Sequence, residues 1–74
     1  MNDNPLSYYL NLRYPVVLFP ESEGGYTVLI PDLPGCMSVG ETPDEAMQMI
    51  EEAKALWIEV AYERGDKIPL PHSV

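Results

Sequence analysis

The chain has 74 residues, 46% of them hydrophobic, and its twelve acidic and four basic side chains give a formal net charge of −8. This length predicts one domain over residues 1–74, which buries only about 60% of its unfolded surface and so gains from a partner or from copies of itself. The negative charge disfavours nucleic-acid binding, and no apolar run approaches the roughly 20 residues of a membrane span.

The cysteine and histidine counts restrict the chemistry further. Cys36 is the single cysteine and His72 the single histidine, too few ligands for a zinc site and too few groups for a Cys/His or Ser/His arrangement. Cys36 lies in an apolar stretch, which favours a buried thiol over a nucleophile. We therefore expect no metal, no cofactor and no catalytic residue. The first residues carry no basic start of a secretory signal, so we expect a cytoplasmic protein.

Alternating polarity predicts the first strand. In residues 8–14 the side chains of Tyr8, Leu10, Leu12 and Tyr14 fall on one face of an extended chain. Residues 1–7 are expected to be a disordered tail. Because Pro15 cannot donate to a neighbouring strand, a continuation through residues 16–19 belongs at an edge of the sheet or carries a bulge.

Two turns organise the next strands. Residues 20–25 form a polar loop in which Gly25 permits a tight reversal, and the β-branched and aromatic residues 26–30 complete a hairpin. Pro34 and Gly35 suit the two central positions of a type II turn, where glycine accepts a positive φ. A short third strand over residues 36–39 follows, ending at Gly40.

Three signals together predict the start of a long helix. Thr42 is an N-cap residue, Pro43 suits the first helical position, and Glu45 completes a capping box. Gly65 supplies the stop after Arg64. Residues 66–71 have room for one short edge strand. The predicted fold is α+β, a two-layer βββαβ arrangement of an antiparallel sheet covered by one helix.

The helix sequence separates into two faces. One apolar stripe and one charged side are expected, and four further apolar residues widen the stripe. The widened part either faces another subunit or is a set of partly exposed apolar residues without a partner. The stripe contains Ala46, Ile50, Ala53, Trp57, Val60 and Ala61; the charged side contains Glu51, Glu52, Lys54, Glu59 and Glu63; the widening residues are Met47, Met49, Leu56 and Ile58.

A metal-dependent nuclease is the alternative from a different functional class. Two-metal phosphoryl transfer needs converging carboxylates, and the candidates are Asp32, Glu41, Asp44 and Glu45. Each has a simpler explanation, since Asp32 adjoins a turn and the others lie at a helix start, where negative charge is favourable. A structural oligomer with no further partner is a third possibility.

The succession of motifs resembles the HicB family of antitoxins. Tyr14-Pro15 is followed by Gly25-Tyr26, then by the run from Pro31 to Cys36 (P-D-L-P-G-C), and then by Gly40-Glu41-Thr42 with Glu45-Ala46. The similarity covers residues 14 to 71. It implies a partial ribonuclease-H-like βββαβ fold that usually self-associates, here as a dimer or tetramer.

The resemblance also implies a partner and a mode of action. Family antitoxins neutralise HicA-type toxins, which are small basic proteins that cleave messenger RNA, by covering the toxin's active face. An acidic chain suits a basic partner, because complementary potentials speed their encounter. By analogy we expect partner contacts at Glu21, Glu23, Asp32 and the exposed helix acids.

One departure from the family concerns DNA. Many members carry a C-terminal helix-turn-helix or ribbon-helix-helix domain that binds the operator, and 74 residues leave no room for one. We therefore expect a short form that binds no nucleic acid by itself.

Overall fold

The structure, a computed structural model that describes residues 3–71, consists of one antiparallel sheet and two helices. Its elements are α1 (Leu6–Leu10), β1 (Val17–Pro20), β2 (Tyr26–Leu29), β3 (Met37–Gly40) and α2 (Pro43–Arg64). The strand order is β1-β2-β3, and α2 packs on β3 and β2. The predicted α+β class, with its antiparallel sheet and single long helix, is confirmed.

The strand register decides which side chains face the helix. Leu18, Val28 and Ser38 lie opposite one another across the three strands. Val28 is fully buried, so this row faces α2. Successive strand residues point to opposite faces, and the residues on either side of this row therefore form what we call the outer sheet face. Its members are Val17, Leu29 and Met37 in one row and Phe19, Thr27 and Val39 in the next.

The core lies between α2 and the sheet. Its largest fully buried side chains come from the sheet, the turn after β2 and the helix. They are Val28, Ile30, Leu33, Ile50 and Ile58. Cys36 is also buried, with its thiol reduced, as its apolar sequence context predicted.

Both predicted turns are present. The Cys36 N–H donates to the Leu33 carbonyl (2.9 Å) and Gly35 has φ +82°, which are features of a type II turn around Pro34 and Gly35. Gly25, also at φ +82°, closes the β1–β2 hairpin by accepting a hydrogen bond from the Glu21 N–H (2.9 Å).

Helix α2 begins and ends where the sequence predicted. Thr42 Oγ1 accepts a hydrogen bond from the Glu45 N–H (3.1 Å), and Gly65 adopts φ +78° just beyond the last turn. One detail differs from a standard capping box, because the Glu45 carboxylate accepts from the N–H of Glu41 instead of that of Thr42. The side chain thus secures the residue before the cap.

The strand predicted over residues 8–14 is wrong. Residues 6–10 form α1, and Asn11 caps it by donating from Nδ2 to the Ser7 carbonyl (2.9 Å). Over so short a run, the spacing of apolar residues fits both the period of a helix and that of a strand. The helix buries Tyr9 against Tyr62 of α2, with ring centroids 6.0 Å apart. Of the tail expected over residues 1–7, residues 6 and 7 belong to α1, whereas residues 1 and 2 lie outside the described chain.

The predicted faces of α2 need three corrections. Lys54, assigned to the charged side, is buried, and Ile58, assigned to the widened surface, is fully buried. Val60, assigned to the core stripe, is 44% exposed. The buried side chains of α2 recur at spacings of three and four residues. The stripe that they form is shifted by about one residue from the predicted stripe.

The short strand expected after α2 does not form within residues 66–71. This segment has no regular secondary structure. It is held by burial of Ile68 and by Tyr14, whose hydroxyl donates to the Pro69 carbonyl (2.7 Å). Pro69 and Pro71 have no N–H to donate to a neighbouring strand. His72 lies outside the described residues.

Gly40 is where the sheet and α2 approach most closely. A Cβ atom built at this position would lie 2.4 Å from the Ala46 nitrogen and 2.7 Å from its Cα. The neighbouring atoms are backbone of the first helical turn, so they cannot move aside as a flexible side chain could. The glycine in the Gly40-Glu41-Thr42 motif is therefore required for packing, which the sequence did not reveal.

We predict that Gly40→Ala lowers the free energy of unfolding by about 1–3 kcal/mol or more, because it overpacks a backbone contact. Urea denaturation followed by circular dichroism measures the loss. The control is Gly24→Ala, whose Cβ would meet nothing within 4 Å although its φ is +103°. A smaller loss for Gly40→Ala than for this control would contradict the packing explanation.

Candidate protein-binding site

The outer sheet face is an apolar surface without a covering layer in the described chain. Phe19, Met37 and Val39 are 45%, 56% and 65% exposed. The other members, Val17, Thr27 and Leu29, are partly exposed and carry no charge. Contiguous exposed apolar surface bordered by polar groups is typical of protein-binding sites.

Glu21 and Glu23 lie at one end of this face. Both are exposed and belong to the β1–β2 loop. The carboxylate of Glu21 accepts a hydrogen bond from Thr27 Oγ1, and because Thr27 belongs to the outer sheet face, Glu21 lies at its border. The structure thus places Glu21 at the border of an apolar surface that the sequence analysis did not identify, and Glu23 two residues further along the same loop.

Asp32 lies elsewhere. It follows β2 in the turn that precedes β3, beyond the end of β2 opposite to the Glu21 loop. The length of β2 alone, four residues, corresponds to about 13 Å. Asp32 is half-buried. The three predicted residues therefore border the sheet at two ends and do not form one cluster.

A second acidic surface runs along α2. Glu45, Glu52 and Glu59 are exposed and seven residues apart, which is two helical turns, and Glu63 follows one turn later. We call this row the helix acidic row. The buried residues of α2 face the sheet, so the row points away from it, on the side opposite to the outer sheet face. A small rigid partner cannot contact both surfaces of one copy at once.

The exposed charges are more one-sided than the sequence totals suggest. Eleven of the twelve carboxylates are exposed and Asp32 is half-buried, whereas only three of the four basic residues are exposed. Arg64 is paired with Asp66 (3.4 Å). The surface is therefore strongly negative and attracts a basic protein over long range.

Lys54 has a structural role. Its Nζ donates to the Leu12 carbonyl (3.1 Å) and lies 3.2 Å from the Glu51 carboxylate. The hydrogen bond connects α2 to the segment before β1. Both contacts compensate the positive charge, which would otherwise be costly to bury. The sequence pattern missed this role because the partner is a backbone carbonyl 42 residues away.

Trp57 has a similar role on the other flank of α2. Its Nε1 donates to the Pro34 carbonyl (2.8 Å), which fixes the Pro34-Gly35 turn against the helix. The P-D-L-P-G-C motif is thereby held in place by a side chain of α2.

Two buried groups have altered proton affinities. Burial raises the pKa of Tyr14 to about 12, and the negative charge of Asp32 is the second cause. Burial also raises the pKa of the Cys36 thiol, while the nearby charge of Lys54 opposes that effect. A thiol whose pKa is raised remains protonated at neutral pH and is a poor nucleophile.

The carboxylates considered for a nuclease are divided between two places. Glu41, Asp44 and Glu45 lie around the start of α2, whereas Asp32 precedes β3. Within residues 3–71 no group of three or more His, Cys, Asp and Glu side chains is arranged to hold a metal ion. No helix in this part of the chain is long and apolar enough to cross a membrane.

The fold and surface define a small acidic α+β module with an uncovered sheet face. The sequence model of the HicB-like antitoxins of bacterial toxin–antitoxin systems matches residues 14–74, and the chain belongs to this family. The resemblance noted from its motifs is confirmed.

Three relatives illustrate the similarity. The chain is 45% identical over 64 residues to "Antitoxin HicB 1" of Photorhabdus laumondii, covering 86% of this chain and 41% of that protein. It is 42% identical over 60 residues to "Antitoxin HicB" of Escherichia coli (strain K12), covering 81% and 44%. It is 40% identical over 58 residues to a UPF0150 protein of Synechocystis sp., covering 78% and 80%. The chain therefore spans less than half the length of the two antitoxins from Photorhabdus laumondii and Escherichia coli.

We predict that Tyr14→Phe lowers the free energy of unfolding at neutral pH by about 0.5–1.5 kcal/mol, because the hydrogen bond to Pro69 is lost. The pH dependence follows from the raised pKa. The folded protein holds the phenolic proton more tightly than the unfolded chain, so this stabilisation is complete below pH 10 and is lost as the pH rises towards 12.

Urea denaturation between pH 8 and pH 12 measures this effect, and Tyr14→Phe should weaken the alkaline decline. Tyr26→Phe is the matched control, since Tyr26 is half-buried and is not among the groups that raise the pKa of Tyr14. An alkaline decline of unchanged size in Tyr14→Phe would contradict the assignment.

Proposed function

We propose that this protein is an antitoxin module that binds a small basic HicA-type toxin and neutralises it by covering its active face. The observation that carries the proposal is the apolar outer sheet face bordered by Glu21 and Glu23, in a member of an antitoxin family. The proposed role is one of binding, and it assigns no catalytic step to this chain.

The chemistry of the surface supports a basic partner. Phe19, Met37 and Val39 offer apolar area for the centre of an interface, and carboxylates at the border supply electrostatic complementarity. Glu21 and Glu23 are the proposed first contacts, and Asp32 contributes from the opposite end of the sheet. The net charge of −8 speeds the encounter with a cationic protein.

We further propose the cellular setting and assembly. The protein acts in the cytoplasm, self-associates as a dimer or tetramer, and retains the partial ribonuclease-H-like architecture that its family resemblance implies. It needs no metal or other cofactor to bind its partner, and it does not bind nucleic acid by itself.

The binding test uses a small basic protein of the HicA type, with its messenger-RNA cleavage as one readout. Glu21→Gln combined with Glu23→Gln should weaken the complex by about 2–30-fold, since each exposed ion pair contributes about 0.2–1 kcal/mol. The association rate should fall and become less sensitive to salt. Titration calorimetry and stopped-flow mixing measure these quantities.

Glu52→Gln combined with Glu59→Gln is the matched control, because it removes the same charge from the helix acidic row. This control should bind the toxin nearly as tightly as the unmodified protein does. A greater loss in the control would move the contact surface to α2. Absence of any complex at micromolar concentration, with toxin cleavage uninhibited, would overturn the proposed function.

A further inference from the structure

A groove runs between β3 and one flank of α2, separate from the outer sheet face and the helix acidic row. Its volume is about 620 Å³. Leu56 and Val60 line it from the helix and are 63% and 44% exposed, and Ala53 and Trp57 complete this wall. The start of β3 and the Pro34-Gly35 turn form the opposite wall.

Within residues 3–71, the strand beside this groove, β3, pairs with another strand on one side only, and its other edge is open. The Ile30 N–H donates to the Cys36 carbonyl (3.0 Å), so Cys36 belongs to a hydrogen-bonded pair with β2. Hydrogen-bonded and non-hydrogen-bonded residue pairs alternate along two antiparallel strands. The backbone groups of Met37 and Val39 therefore point away from β2, towards the open edge. Both residues have an N–H, so β3 is able to pair with an additional strand.

The other edge of the sheet is protected. In β1 the Glu21 N–H donates to the Gly25 carbonyl, and by the same alternation Leu18 and Pro20 point outwards. Pro20 has no N–H, and Pro15 precedes the strand. Proline on an edge strand opposes pairing with another chain. The two edges differ, and β3 is the one that accepts a strand.

Charge indicates which partner fits the groove. Its charged lining residues are Arg64, Lys67 and Asp66, with Asp66 paired to Arg64. The groove is therefore locally basic on a protein of net charge −8. A basic toxin meets no unpaired carboxylate there, whereas a second copy of this acidic chain is attracted. Antiparallel pairing also brings the acidic end of β3, at Glu41 and Glu45, to the basic half of the other copy.

We infer that a second copy of this chain docks at the β3 edge and the adjoining groove. The two β3 strands pair antiparallel, which joins the sheets, and the flank of α2 that carries Leu56 and Val60 faces the start of α2 in the other copy. The inference deepens the self-association proposed above by naming its surface. It also accounts for part of the wide apolar surface of α2, since Leu56 is covered while Ile58 lies in the core and Met47 faces elsewhere.

Sedimentation velocity of the full chain over a range of concentrations provides the test. The unmodified protein should be a dimer or a larger even-numbered assembly at micromolar concentration. Leu56→Glu and Val60→Glu should each raise the dissociation constant about tenfold or more, because each places a charge in an apolar interface. Both side chains are exposed, and glutamate favours helix, so the fold should survive.

Met47→Glu is the matched control. Met47 is a similarly exposed apolar residue of α2, at 40%, and it borders the Leu10–Tyr14 segment on the other flank. Its dissociation constant should stay within about twofold of that of the unmodified protein, a change below about 0.5 kcal/mol. An equal loss for Met47→Glu would overturn the inference, because the effect would then not belong to the groove.

The remaining outcomes separate this inference from the proposed self-association. A monomer at every concentration would overturn both, whereas an oligomer unaffected by Leu56→Glu and Val60→Glu would overturn only the assigned surface. Hydrogen exchange of the Met37 and Val39 amides gives a readout that needs no variant. Slow exchange that depends on concentration supports strand pairing, and fast exchange at both amides would overturn it. Toxin binding, measured separately, is not expected to require Leu56 or Val60.

Discussion

The packing of α2 against one face of a three-stranded sheet determines the rest of this structure. Gly40 lets the helix start in direct contact with the sheet backbone, and Val28, Ile50 and Ile58 fill the space between the layers. In a chain of 74 residues there is little other core, and burial of apolar area is the main stabilising contribution. Lys54 and Tyr14 help to hold the irregular segments before β1 and after α2, because both donate hydrogen bonds to backbone carbonyls.

The parts of the fold that could be predicted are those with local causes. The Pro34-Gly35 turn, the Thr42 cap and the Gly65 stop each follow from the conformational preference of one or two residues, and all three are confirmed. The errors arise where distant contacts decide. The apolar pattern of residues 8–14 fits both a helix and a strand, and the contact of Tyr9 with Tyr62 is not visible in the sequence. Lys54 has the sequence context of a surface residue, and its burial depends on the distant Leu12 carbonyl.

The candidate site shows the same division. Composition correctly indicated an acidic exterior, but the apolar outer sheet face depends on strand register, which the sequence does not state. Glu21 gains its position at the border of this face from Thr27, a residue in the next strand. Asp32 appeared equivalent to Glu21 in sequence, and the intervening strand places them at opposite ends of the sheet. Family membership, and not geometry, is the basis on which a partner is proposed for this surface.

Met37 and Val39 contribute to two surfaces that lie in perpendicular directions. Their side chains project from the outer sheet face, while their backbone groups lie in the plane of the sheet at its open edge. A strand added at the edge therefore leaves both side chains uncovered and doubles the apolar face on the same side. An assembly built in this way is bivalent, and two linked ligands would bind it with an effective concentration that a single copy cannot provide.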